Sequence, residues 1–583
     1  MNSVKKFEVI VLLIVFVFLF YYSFNQFYSQ HWTSILDQDP IIIYNSLLIS
    51  SGVEQEYRDH PAYTTFLILG GLFKFLSIFF DSFKIESLML SKTIDDDFQI
   101  LFYIARLLNT FYIFLCTLFI FKILKQFHIK SWISLVASIL FIFHLSTFEL
   151  LYLLRSEIVS MLFFLISIFY FLKSINTNNI YYIIVSGFFL CFSLLAKIQI
   201  IFLIFCFLVS IPSIIKYLGY KEDKYELVLQ KYNYKTAQIV ISTFLLFYLF
   251  YQSIVGIVFL KETNNQIFFL NNNLDLYFFF GFVIFYRIYI FYLSKRKIIN
   301  TKIVISFLSL IILGFVLAVI TIFLLDLLKI IPVHKSIFLR IFHPFEFMST
   351  FTVKSKIEII NIFVTLKEFF LIGFYDLSYN FNIYHEHKVL GINARVFFRT
   401  LYILIILILI LISLRKTNNK NLNSLTLFFF GAILIYFLIN NIRETHGYNI
   451  YIFPIFLFLM SLIFNSLKKK KVIFFTFIIL TTIMMENYSF NNIHKNSFKL
   501  EPRVYDICIN TNPNEWTNSV NYFYNQLFSS PIVLVDGINW WFEKYLYQLH
   551  AVNNGMFFNR YCNQVNNFSK DKINFYFKKQ VIN

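Results

Sequence analysis

The sequence predicts an all-α polytopic membrane protein, with about thirteen transmembrane helices ahead of a small C-terminal α/β domain, and three observations carry this. Hydrophobic residues make up 58% of the 583-residue chain and charged residues only 14%, well below what a soluble protein carries. Apolar runs of about 17 to 25 residues recur, the length at which a helix crosses roughly 30 Å of hydrocarbon. The Lys and Arg residues behind the net charge of +18 fall in short clusters between those runs. Orientation by the positive-inside rule produces that pattern, and it argues against a nucleic-acid partner. The 80 Phe reflect a compositional bias rather than a stack of aromatic sites.

The first apolar run, 7–24, follows Lys5 and Lys6 and is followed by no small-residue cleavage site, so it reads as a retained signal anchor. Next comes DQDPIIIYNSLLISSGVEQEYRDHP (37–61), with Asp37, Asp39, Asp59 and His60 at its two ends. Its apolar stripe (Ile41, Ile42, Ile43, Leu47, Leu48, Ile49) fits a helix lying along the interface. Ionisable groups held against membrane spans are candidates for a site. Asp39 before Pro40 also suits a helix start, as N-cap followed by proline at the first position.

Parity decides the next run, 62–80. With the N-terminus inside, the clusters Lys122/Lys125/Lys130, Lys216 to Lys235, Lys295/Arg296/Lys297, Arg415/Lys416/Lys420 and Lys468 to Lys471 should all be cytoplasmic. They are so only if 62–80, which holds Lys74, is re-entrant or surface-lying. The expected spans are then 7–24, 100–121, 132–154, 157–173, 180–196, 199–217, 237–258, 277–294, 303–327, 398–414, 424–440, 449–466 and 472–486. Asp95-Asp96-Asp97 reads as a hydrated linker. A membrane domain thus covers 1–486, with a first outer loop at 25–99 and a long outer loop at 329–397. The outer face also carries Arg155-Ser156-Glu157, Ala196-Lys197 and Arg443-Glu444-Thr445-His446, while the inner face keeps mainly short basic turns. Chemistry, if present, is expected outside.

From Asn487 the material changes: Asn, Lys, Tyr and Trp interleave, and Pro502, Pro513, Pro531, Gly537 and Gly555 punctuate shorter apolar runs. Residues 487–583 therefore read as a small extracytoplasmic α/β domain. It holds Cys508 and Cys562, whose pairing is suggested by their shared place in an oxidising compartment; Cys116, Cys191 and Cys206 lie in spans.

Together these features resemble the GT-C glycosyltransferases, in particular the ArnT-like and family 39 members (protein mannosyltransferase and Rgt-like). The residues that carry the resemblance are Asp37 ahead of Ser51-Gly52, Asp59 in Arg58-Asp59-His60-Pro61, Ala105-Arg106-Leu107 in the next span, and Glu157 at the outer end of a later one. The family's thirteen spans and outer C-terminal domain agree with the count from charge. Two departures stand out: the family's Asp-Glu pair is here Asp37-Gln38-Asp39, and its His-Pro-Pro is His60-Pro61-Ala62.

The resemblance implies inverting transfer of a sugar from a polyprenyl-phosphate donor to an envelope lipid, glycan or protein acceptor. Such a reaction needs a carboxylate to take the acceptor proton, for which Asp37 is the expected general base, with Asp59 and Glu157 as further catalytic candidates. It also needs cations on the departing phosphate: Lys197, Arg443 and Arg155 are the candidates. Asp39, His60 and His446 are candidates for the acceptor or a metal, and a divalent cation is the one cofactor considered. Plainer roles stand beside these. Arg155 and Glu157 can pair with each other, and Lys197 can snorkel to the surface. A bacterial inner membrane with a periplasmic site is the expected location. The competing classes are a lipid-linked oligosaccharide flippase, which would line a path with mid-span charges, and an O-antigen polymerase or ligase, which would use a late outer loop.

Overall fold

The computed structural model describes residues 2–29, 39–53, 55, 62–84, 87, 94–151, 154–218, 284, 288, 301–333, 408 and 449–497. The described part is helical, and no strand occurs among the described residues. The expected spans 237–258 and 424–440, nearly all of 277–294 and 398–414, and the tail beyond Ser497 lie outside these residues.

The helices, in chain order, are α1 (Asn2–Ser29), α2 (Asp39–Ser50), α3 (Tyr63–Leu76), α4 (Ile94–Gln126), α5 (Ser131–Phe143), α6 (Leu145–Glu149) and α7 (Ser156–Thr177). They continue with α8 (Tyr181–Ala196), α9 (Ile201–Tyr217), α10 (Thr301–Leu327), α11 (Asn449–Ser466) and α12 (Lys469–Ser497). Short 3-10 turns, Asp81–Phe83 and Ile198–Ile200, sit between α3 and α4 and between α8 and α9. Five helical stretches are long and apolar enough to cross a membrane: Phe7–Asn25, Gln99–Gln126, Ser156–Thr177, Ile198–Tyr217 and Ile303–Leu327.

The α7–α8 hairpin is the centre of the bundle. Asn178, in the left-handed conformation at φ 55°, ends α7, and the chain turns directly into α8. Small polar residues zip the two helices together. Ser160 Oγ donates to Ser193 O (2.8 Å), Ser193 Oγ donates to Ser160 O (2.7 Å), and the Ser167 and Ser186 hydroxyls meet at 2.9 Å. Where lipid is as apolar as leucine, helices associate through such close packing and polar contacts. On the other side of α8, α10 approaches until backbones touch. A Cβ added to Gly187 would lie 1.9 Å from Ile311 O, and one added to Gly314 would lie 1.9 Å from Ile184 O. α4 lies along α7, with Cys116 Sγ 3.8 Å from Ile158 O and Asn176 Nδ2 donating to Gln126 O at 3.0 Å. α1 runs antiparallel to α4, from Lys125–Glu8 at one end to a Thr110–Ser23 hydroxyl bond (2.9 Å) further along.

Two stretches depart from expectation. The run 132–154 was expected as one span but breaks at His144, whose extended ψ of 136° ends α5 and lets its carbonyl accept from Thr147 and Phe148 to start α6. The break is filled from α11: the Phe453 ring stacks on His144 with centroids 3.8 Å apart. Asp95-Asp96-Asp97, expected as a linker, opens α4 instead. Acidic residues suit the positive end of a helix dipole, and Ser82 Oγ ties Asp97 Oδ1 to the preceding turn at 2.6 Å.

The motif Ser51-Gly52 has a local cause. Gly52 (φ 77°) follows α2, its N–H donates to Ile49 O (3.0 Å), and the Val53 N–H donates to Leu48 O (2.9 Å). That is a Schellman stop, which favours glycine because the left-handed backbone burdens any Cβ. The chain returns as α3, a helix of 14 residues, or roughly 21 Å. Gly70 lets it pack on α2, since a Cβ there would lie 2.8 Å from Ser46 O.

Candidate functional site

Antiparallel pairing of α7 and α8 brings the start of one beside the end of the other, and charge collects there. Arg155 is the N-cap of α7 and Glu157 lies in its first turn; Lys197 is the C-cap of α8. A carboxylate at a helix N-terminus and an ammonium at a C-terminus both complement the helix dipoles. Lys197 leaves helical geometry (φ −157°, ψ 122°), so α8 stops there and its side chain turns into the bundle. Lys197 Nζ stands 3.0 Å from Glu157 Oε1, and Arg155 Nη1 is 3.6 Å from the same oxygen.

Burial separates the two cations. Lys197 and Glu157 are fully enclosed, whereas the Arg155 side chain is 20% exposed. Lys197 therefore does not snorkel; its ammonium is spent inside on Glu157. Two cations thus converge on one carboxylate. Arg155 is the member of the cluster that reaches toward the surface.

The same end of the bundle carries further polar groups. Thr64 Oγ1 donates to Phe192 O at 2.8 Å, which docks the start of α3 onto the last turn of α8. Tyr63 and Thr65 flank it, both buried, their hydroxyls without a hydrogen-bond partner among the described residues. The Ser156 hydroxyl beside Glu157 is in the same state. On α4, Asn109 holds Leu150 O, and Arg106, one turn earlier, is buried with its guanidinium 5.3 Å from the Phe102 ring centre. Arg106 was legible as part of Ala105-Arg106-Leu107, but that motif marks a span and assigns no role to the side chain.

Of the residues expected at a site, Arg155, Glu157 and Lys197 come together. Asp39 begins α2. Asp37, Asp59, His60, Arg443 and His446 lie outside the described residues. Among the described residues no group of three or more His, Cys, Asp or Glu side chains is placed to hold a metal. Glu157, already between two cations, is a poor donor for a third.

These features define a helical protein whose five long apolar helices are compatible with an integral membrane protein, built around a buried ion-pair cluster at one end of its bundle. Comparison with protein-family models, curated proteins and solved structures gives no match.

Proposed function

We propose that the chain is a GT-C-type membrane glycosyltransferase that moves a sugar from a polyprenyl-phosphate donor to an envelope lipid, glycan or protein. The observation that carries this reading is the Arg155–Glu157–Lys197 cluster, two cations converging on one buried carboxylate in a low-dielectric setting, with one guanidinium partly exposed. A departing polyprenyl phosphate gains most from fixed positive charge in such surroundings, because no solvent has to reorganise around it. Arg155 is suited to meet the phosphate as a planar fork, and Lys197 supports it from behind as a point charge. Glu157 holds both cations in place. Asp37 takes the acceptor proton in this reading, and Arg443 adds to phosphate binding. The remainder of the proposal is the thirteen-span count, the outer α/β domain of 487–583, and a bacterial inner membrane with the site on the periplasmic side. Asp59, Asp39, His60 and His446 stay candidates for orienting the acceptor or binding a divalent cation.

The test is transfer of radiolabelled sugar from polyprenyl-phosphate donors in membranes containing the wild type, Asp37→Asn or Arg155→Met, at matched expression. Removing the general base is expected to lower the rate by about 10²–10⁴-fold. Arg155→Met should lower it by a similar order, through one lost stabilising group on the developing charge. Transfer undiminished in Asp37→Asn moves the base to Asp39 or Asp59. Absence of transfer from every donor, with lipid-linked oligosaccharide moved across vesicles instead, overturns the enzyme reading in favour of a flippase.

A further inference from the structure

We propose that the end of the bundle opposite the ion-pair cluster carries a site for the headgroup of an anionic phospholipid, formed by Lys122 and Lys173 on the seam of α4, α7 and α8. This inference does not rest on the glycosyltransferase reading. Lys122 Nζ lies 5.4 Å from the Phe119 ring centre and 5.9 Å from that of Phe169. Lys173 Nζ lies 5.8 Å from Tyr170 and 4.2 Å from Tyr182. The four rings form one continuous surface: Phe119 meets Phe169 edge-on at 5.6 Å, Phe169 meets Tyr170 at 5.4 Å, and Tyr170 stacks on Tyr182 at 5.7 Å. Two ammonium groups are thus seated on a single aromatic platform built from three helices.

Charge accounting shows why these lysines differ from their neighbours. Lys125, on the next turn, is engaged with Glu8 (3.9 Å) and with the Ser131 hydroxyl. Among the described residues neither Lys122 nor Lys173 meets a carboxylate. An ammonium over a ring face satisfies only one side, and its remaining N–H donors point away from the ring. The seated rings also limit the rotamers that binding would otherwise have to freeze.

Position selects the occupant. Asn176 bonds to Gln126 where α7 and α4 end, and both lysines lie about one turn, or roughly 5 Å, inside that level. This is where a phosphodiester stands at the edge of hydrocarbon. Beyond the lysines the half-buried rings continue along the α7–α8 face: Tyr170 stacks on Phe189 at 5.9 Å and Phe189 on Phe163 at 5.8 Å. Acyl chains can lie against that strip while the phosphate meets the lysine ammonium groups at its end. The surrounding helix ends are also basic (Lys125, Lys130, Lys216 and Lys468 to Lys471), with Glu8 the one carboxylate described near them. An anionic lipid is therefore favoured over a zwitterionic one.

Native mass spectrometry of the full-length protein in detergent tests the site. Phosphatidylglycerol and phosphatidylcholine of matched chains are titrated against the wild type, Lys122→Gln/Lys173→Gln, and Lys469→Gln/Lys470→Gln. The last pair removes the same charge from exposed positions at the same end. At about 1 kcal/mol for each lysine, the first double variant should lose roughly 30-fold of its preference for phosphatidylglycerol, and the control double should keep it. Should the Gln pair fold poorly, Lys122→Arg/Lys173→Arg keeps the charge and is expected to keep the preference. Equal binding of the two lipids by the wild type, or equal losses in both Gln doubles, overturns the site and leaves only diffuse charge.

Discussion

At the scale of single residues, the Glu157–Lys197 pair is the feature on which the site end depends. Two charges withdrawn from water stabilise each other while both are present, and removing one takes from the other its nearest counter-charge inside the bundle, although Arg155 at 3.6 Å still faces Glu157 when Lys197 is lost. Glu157→Gln and Lys197→Met should each therefore destabilise the folded protein by about 3–5 kcal/mol. The double variant Glu157→Leu/Lys197→Met should recover much of that loss, since no charge is then stranded. Heating detergent-solubilised protein and measuring the fraction still folded compares the three. Additive losses in the double would show that the 3.0 Å contact carries no coupling. Under the proposed reaction the double should stay inactive in sugar transfer even where its stability returns, which separates the pair's structural share from its proposed share in binding phosphate.

At the scale of elements, the α8–α10 crossing depends on two glycines. Ile311 O lies 1.9 Å from where a Gly187 side chain would begin, and that obstacle is backbone, which cannot rotate aside. Gly187→Ala should therefore force the helices apart and cost about 1–3 kcal/mol, with Gly314→Ala acting alike. Gly71→Ala is the contrasting case. Nothing lies within 4 Å of its added Cβ, so improved helix propensity should raise stability by about 0.5–1 kcal/mol. Thermal unfolding of the three variants in one detergent would order them, and a neutral Gly187→Ala would mean the crossing is looser than drawn.

The same elements show how far the sequence is legible. Helices α7, α8, α9, α10 and α11 fall on the runs 157–173, 180–196, 199–217, 303–327 and 449–466, because length and apolarity are local properties of a stretch. Arg155, Glu157 and Lys197 stand out one by one, since charge is rare next to apolar runs. Their convergence is not local. It depends on a hairpin turn at Asn178 and on a seam of serines that fixes the register, and hydrophobicity reports neither. The break at His144 is hidden for a related reason. No proline or glycine marks it, and it is filled by Phe453, about three hundred residues further on. The hydroxyls of Tyr63 and Thr65 belong to the same class: their types are unremarkable in sequence, and only packing gives them a place at the site end.

At the scale of the whole molecule, the lysine clusters among the described residues and the ion-pair cluster occupy opposite ends. Three contacts put the ends of α4, α5, α7, α9 and α11 together: Lys130 N–H donates to Asn465 Oδ1 (3.2 Å), Asn176 donates to Gln126, and the Phe127 and Tyr217 rings meet at 6.1 Å. Lys122, Lys125, Lys130, Lys173, Lys216 and Lys468 to Lys471 gather at this end. α10 starts at this end, where Phe307 meets Phe171 at 6.0 Å, and carries Asp326 to within electrostatic range of Tyr63 at the other. If lysine clusters mark the cytoplasmic side, a cysteine at Lys130 and one at Lys329 must face opposite compartments. Both positions are exposed, and Lys329 follows the far end of α10. A membrane-impermeant maleimide applied to intact cells should then modify Lys329→Cys and spare Lys130→Cys until the membrane is opened, with the unmodified parent subtracting any signal from its own cysteines. Reversed labelling would turn the molecule over and place Arg155, Glu157 and Lys197 on the cytoplasmic side. Polyprenyl-phosphate sugars presented at the outer leaflet would then never meet the cluster, so this one measurement bears on the proposed reaction as directly as a transfer assay.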